Sequence, residues 1–180
     1  LLKRWKQQPS QELLERGRRV MSLISSNSNA EGAIFTDQGV PLARFETHPK
    51  RSAHSLLNLG NKPAFVVYDP SNCEVLRIQR VRRMPPTFQM IGDGQVLARI
   101  RLLSLLRNSF AIEPVDGARW VFRMPLFTVT FHGASSEGEE VWVQVGPGKT
   151  QWNVLLEPHR DSIPFLSALS FIHREWWCYS

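Results

Sequence analysis

The spacing of hydrophobic and polar positions changes twice along the chain. Over residues 10–25, SQELLERGRRVMSLIS, the residues Leu13, Gly17, Val20 and Ile24 fall on one stripe of a helix. Ser10 can cap that helix, and Glu12 stands in its first turn, where the helix dipole favours a negative charge. The pattern predicts an amphipathic helix over 10–25, followed by the loop SSNSNAEG. Gly17 opposes this by about 1 kcal/mol relative to alanine.

Between residues 30 and 157 the helical spacing is gone. Short apolar or alternating runs replace it, each closed by turn residues: GAIFT before DQG, PAFVVY before DPSN, TFQMI before GDG, SFAIE before PVDG, EVWVQV before GPGK. In EVWVQV, Val141, Val143 and Val145 alternate with Glu140, Trp142 and Gln144, so one face is aliphatic and the other mixed. Asp-Pro-Ser-Asn, Gly-Asp-Gly and Val-Asp-Gly are hairpin turns in residue type. Runs recurring at roughly ten-residue spacing predict about ten or more strands, in a barrel or a sandwich.

The tail, DSIPFLSALSFIHREWWCYS at 161–180, returns to helical spacing. Ser162 or Asp161 can cap it, and Pro164 falls in the first turn, where its missing N–H costs little. Phe165, Leu169, Ile172 and Trp176 form a stripe that Leu166, Ala168 and Phe171 widen. The uncharged run, residues 162–172, is about 11 residues long, whereas a bilayer span needs about 20. A helix this short and apolar nearly all round is predicted to be buried inside the protein, with His173-Arg174-Glu175 marking where it emerges.

Composition narrows the class. The chain has 180 residues, 42% apolar and 21% charged, enough for a core and unlike a disordered or fibrous protein. Cys73 and Cys178 have neither zinc-ligand spacing nor the number needed for a disulfide framework, which fits a reducing, intracellular setting: cytoplasm, a membrane periphery or the mitochondrion. The net charge is +6, a balance suited to anionic partners.

Most motifs with chemical potential fail on context. GPGKT at 146–150 lacks the earlier glycine of a phosphate loop, because Val143 stands there, and it leads into a strand-like run. HRD at 159–161 continues as Ser162-Ile163-Pro164-Phe165, unlike a kinase catalytic loop. His48, His54, His132, His159 and His173 have no ligand spacing. The residues predict no enzyme, no cofactor and no metal site. One cluster remains: Arg77, Arg80, Arg82 and Arg83, with Arg99 and Arg101. In a regular strand Arg80 and Arg82 share a face opposite Arg77, Val81 and Arg83. The charge thickens where the strand runs into Met84-Pro85-Pro86, so it is expected at one rim, as a site for phosphoryl headgroups. Nucleic acid is the weaker reading, because no aromatic residues interleave with the cations.

The order of these segments resembles the phospholipid scramblase and LURP-one-related group of the Tubby C-terminal-like superfamily. The carrying residues are 63–101, PAFVVYDPSNCEVLRIQRVRRMPPTFQMIGDGQVLARIR, then SFAIEPVDGARWVFRMPLFTVTF, EEVWVQVGPGKTQWNV and the apolar tail, together spanning roughly 30–178. The resemblance implies a closed antiparallel β-barrel of about 10–12 strands around the buried C-terminal helix, a mainly β (α+β) fold. It divides the chain into an N-terminal helix and linker, 1–29, and a barrel, 30–180. It also implies peripheral binding of anionic phospholipids, phosphoinositides among them, through the basic rim. Scramblases carry a cysteine cluster where this chain has MPLFTVTF, and an acidic calcium segment where it has NVLLEPHRDS. With only Glu157 and Asp161 there, the 6–8 oxygens that calcium prefers are not supplied. The alternative expectation is an assembly subunit of a larger complex that docks a protein partner on the N-terminal helix.

Overall fold

The structure is a computed structural model that describes residues 8–25, 31–48, 64–104, 109–123, 129–160 and 162–179; the side chains at 48, 147 and 176–179 lie outside that description. Twelve antiparallel strands run in chain order: β1 (Arg18–Ile24), β2 (Glu31–Thr36), β3 (Pro41–His48), β4 (Ala64–Tyr68), β5 (Glu74–Arg82), β6 (Thr87–Gly92), β7 (Gln95–Ser104), β8 (Ser109–Pro114), β9 (Trp120–Arg123), β10 (Thr130–Ser135), β11 (Glu140–Val145) and β12 (Gln151–Leu156). Each pairs with its sequence neighbours, and β1 pairs with both β12 and β2, which closes the barrel. Closure leaves no sheet edge unpaired.

The turns form for the reasons their residues imply. Asp93 and Gly94 both adopt positive φ, 49° and 73°, the conformation of a two-residue turn that matches strand twist. Asp69 Oδ1 accepts a hydrogen bond from the Cys73 amide at 2.9 Å, closing the Asp-Pro-Ser-Asn turn. In β11 the expected alternation holds: Val141 and Val143 join the core, while Glu140 reaches outward to the Ser10 amide at 2.8 Å.

The helix expected over 10–25 is corrected. Ser10 does cap a helix, α1 (Gln11–Arg16), accepting from the Leu13 amide, but the helix stops after six residues. Gly17 leaves it in an extended conformation, φ −64° and ψ 146°, and residues 18–24 are the first strand of the barrel. The reason is a period that reads two ways. Val20 and Ile24 are four apart, as on a helix, but with Ser22 they are also every second residue, and all three face inward. Ser22 is an inward polar residue because it has a partner there, His173. The barrel therefore begins at Arg18, inside the segment assigned to the N-terminal helix and linker.

The C-terminal helix, α2 (Ile163–Tyr179), threads this barrel. Its residues from Leu166 to Glu175 are buried without interruption, so over that stretch it has no solvent face, as its composition requires. Aromatic side chains grip it from the wall. Phe171 meets Phe65 and Phe88 edge-on at 5.5 and 4.7 Å between centroids, and Phe165 lies 5.1 Å from Trp120. Ala168, Ser167 and Ser170 are small enough for the wall to approach closely. The triplet His173-Arg174-Glu175 does not emerge: its three residues are 0%, 3% and 3% exposed.

Strand direction fixes two distinct ends. α2 enters at the end that carries the β2–β3, β4–β5, β6–β7, β8–β9 and β10–β11 turns. Its C-terminus points to the other, here called the exit end, where β5 runs into β6 and β11 into β12.

Candidate functional site at the exit end of the barrel

The six arginines of the sequence cluster separate into three groups. Arg77 lies on the outer wall, and its guanidinium is held by Glu74 three residues earlier, with Nη2 at 2.6 Å and Nε donating at 2.7 Å. Arg99 faces out beside Glu113 in register. Arg101 faces out one pair nearer the rim, and its Nη2 donates to Glu113 at 2.6 Å. Arg80, Arg82 and Arg83 gather at the exit end, with Arg101 in the row Arg82–Thr87–Arg101 across three strands.

Arg80 and Arg82 do not share a face. A register shift between them, where Val81 bulges, breaks the alternation of β5. Arg80 turns inward, its guanidinium carbon 5.5 Å from the Phe88 ring centroid. Arg82 and Arg83 are exposed, and among the described residues no carboxylate is paired with either.

Arg80 enters a small recess of about 10 Å³, roughly the room of one water molecule, lined by Thr47, Phe65, Ile78, Phe88, Phe171, Arg174 and Glu175. Arg174 donates from Nη1 to Glu175 Oε1. Three buried atoms in this recess have no protein partner: Thr47 Oγ1, Arg80 Nε and Glu175 Oε2. Buried polar atoms favour any group that satisfies them. Two of the lining residues are guanidiniums, Arg80 and Arg174, and one is a carboxylate, Glu175. Arg174 and Glu175 are site residues that pattern reading did not reach. Their position at the end of an apolar helix was visible, but their burial was not.

His173 locks the helix beside this recess. It stacks on Trp152 at 4.3 Å. Its Nε2 lies 2.7 Å from the Lys149 carbonyl oxygen, so Nε2 carries the proton and donates. Nδ1, 3.3 Å from Ser22 Oγ, then accepts from the hydroxyl. Burial pushes the His173 pKa down to about 4 from 6.5, with the Lys149 bond opposing the shift. The folded protein keeps a neutral imidazole, whereas the unfolded chain takes a proton below 6.5. Stability is therefore full above pH 6.5 and falls as pH drops toward 4, by about 3 kcal/mol from this residue. Urea midpoints measured across that window should show the loss. A His173→Phe variant should be less stable at neutral pH, with a shallower slope.

GPGKT forms a tight hairpin connection. Pro147–Lys149 make one 3-10 turn, Gly148 has φ 62°, and strand β12 follows directly, with no helix to face a phosphate. His159 and Arg160 bind Glu139 at the far end of the barrel. Arg160, through its hydrogen bond, holds the Glu139 carboxyl below the usual carboxylate range; His159 assists and burial opposes. Among the described residues no three His, Cys, Asp or Glu side chains are placed to hold a metal, and no helix is long and apolar enough to cross a membrane.

The fold defines a class: a closed twelve-stranded antiparallel barrel filled by its C-terminal helix. No protein-family model and no curated protein matches the sequence. Among solved structures the chain is similar to a protein from Arabidopsis thaliana determined by X-ray crystallography. The TM-score is 0.58 at 12% identity, covering 86% of this chain and 88% of that one. At that identity the likeness is one of fold.

Proposed function

We propose that this protein is a non-enzymatic, scramblase-like member of the Tubby C-terminal-like superfamily that binds acidic phospholipid headgroups at a membrane surface. The observation that carries the reading is the convergence of Arg80, Arg82 and Arg83 on the exit end, with Arg101 in the adjoining row. Arg82 and Arg83 are exposed cations at a turn, and Arg80 opens on a recess with unsatisfied donors. Near an anionic leaflet each exposed cation contributes about 1 kcal/mol, and salt screens it within about 10 Å. Arg77 contributes less, because Glu74 already neutralises it. The order of sequence segments and the barrel with its central helix both support the family assignment.

Vesicle flotation tests the reading. Retention on phosphatidylserine or phosphoinositide vesicles at low salt, release at high salt, and no retention on phosphatidylcholine alone are expected. Equal recovery with neutral and anionic vesicles, or none with either, would overturn it. The second reading is an assembly subunit that recruits a partner through the N-terminal helix. Of the two leucines of α1, Leu13 is fully buried and Gly17 packs close to Leu155 of β12, while Leu14 is 50% exposed and open to a partner.

A further inference from the structure

Charge is segregated between the two ends of the barrel. Each of the five hairpin turns at the end where α2 enters carries a carboxylate: Asp37, Asp69, Asp93, Asp116, and Glu137 with Glu139. Turn chemistry explains an Asp in any one of them, since Asp tolerates positive φ and bonds its own backbone. It does not explain the contrast with the exit end. The two connections described throughout at that end, 83–86 and 146–150, contain no Asp or Glu. Their cations are Arg83 and Lys149, with Arg80, Arg82 and Arg101 at the adjoining strand ends. Two of the cations at the opposite end are held by carboxylates, Arg119 by Glu113 and Arg160 by Glu139. The two ends are separated by strands of about six residues at roughly 3.3 Å each, or about 20 Å, beyond the screening length at physiological salt.

One corner of the exit end is also apolar. Met84, at the tip of the β5–β6 turn, is 74% exposed, and Val81 and Leu103 are 43% and 41% exposed. The three belong together: Leu102 donates its amide to the Pro86 carbonyl at 3.1 Å, and Arg82, Thr87 and Arg101 are paired across the same three strands. The exposed apolar residues of the opposite end, Leu14, Val40, Val96 and Val115, are spread over α1 and three separate hairpins, whose turns carry Asp37, Asp93 and Asp116. Scattered apolar residues need no explanation. An apolar corner ringed by arginines, on the positive pole of a polarised molecule, does.

We infer that the protein docks end-on, with the exit end against an anionic bilayer and Val81, Met84 and Leu103 inserted among the headgroups. The inference rests on the lipid-binding reading and adds an orientation and an inserted element to it. Apolar side chains flanked by cations partition at the interface because burial and headgroup attraction act at the same depth. The acidic pole is repelled by the same surface, so the barrel axis stands on the membrane.

The test places an environment-sensitive fluorophore at one of two sites in the full chain. One is Met84→Cys in a Cys73→Ser/Cys178→Ser background. The other is native Cys73 in a Cys178→Ser background, on the β4–β5 turn of the acidic end. On vesicles of mixed phosphatidylserine and phosphatidylcholine, the label at 84 should shift to the blue and be quenched by lipid-borne quenchers. The label at 73 should stay accessible to iodide. A Met84→Glu/Leu103→Glu variant should lose about tenfold in vesicle affinity, with an unchanged circular dichroism spectrum. If the protein floats with anionic vesicles but the label at 84 stays in water, or the label at 73 shifts instead, the docking inference fails and lipid binding stands. If it does not float, both fail. If the 84 label changes only with protein-containing membranes, the corner is a protein-docking surface and the inference is overturned.

Discussion

Leu169→Asp should leave no folded protein. Leu169 is 2% exposed, in the middle of a helix with wall on every side, and it belongs to the single large core cluster. Truncating a buried leucine costs about 2–5 kcal/mol, and stranding an unpaired carboxylate in the same place adds several more. The sum matches or exceeds the whole stability of a domain, about 5–15 kcal/mol. Leu169→Met should cost less than about 1.5 kcal/mol, because it keeps volume and polarity. The contrast separates plug from anchor. An anchor residue changed to Asp would release a folded protein from membranes, whereas here circular dichroism and gel filtration should report unfolded or aggregated chain.

Reversing Arg82 and Arg83 together, Arg82→Glu with Arg83→Glu, should cost about a thousandfold in affinity for anionic vesicles. Each reversal removes about 1 kcal/mol of attraction and adds a similar repulsion, about 4 kcal/mol for the pair. Both side chains are exposed and none of the described carboxylates is paired with them, so the melting temperature should hold. Arg16→Glu with Arg19→Glu changes net charge equally from exposed positions preceding and opening β1. It should cost far less if location, and not total charge, decides binding. Arg80 is the wrong residue for this test. It points inward toward Glu175, and a glutamate there would oppose a buried carboxylate.

The parts of the molecule legible in the sequence were those where one physical signal acts alone. Alternation in β11, the turns at 69–72 and 92–94, and the short apolar tail each carry a pattern with one reading, and each folds that way. The failures share a cause. At 18–24 two periods fit the same residues, and what decides between them is distant: β12 and β2 need a strand to close the barrel, and His173 needs Ser22. At Arg80 and Arg82 strict alternation predicts one face, but a bulge at Val81 turns one inward and leaves the other outside. In His173-Arg174-Glu175 polarity predicts exposure, yet the histidine is bonded on both nitrogens and Arg174 pairs with Glu175, so the triplet stays inside. Local patterns record backbone period; they do not record which polar side chains will find partners across the barrel.

Side-chain NMR tests residue by residue whether the exit-end arginines hold anionic headgroups. In a titration of the labelled full chain with a soluble inositol phosphate, the Nε–H resonances of Arg80, Arg82 and Arg83 should shift and saturate together. Those of Arg77, held by Glu74, and of Arg119 and Arg160 at the acidic end should stay in place. Shifts confined to Arg119 or Arg160, or no saturable shift at Arg80, Arg82 and Arg83, would contradict headgroup binding at the exit end.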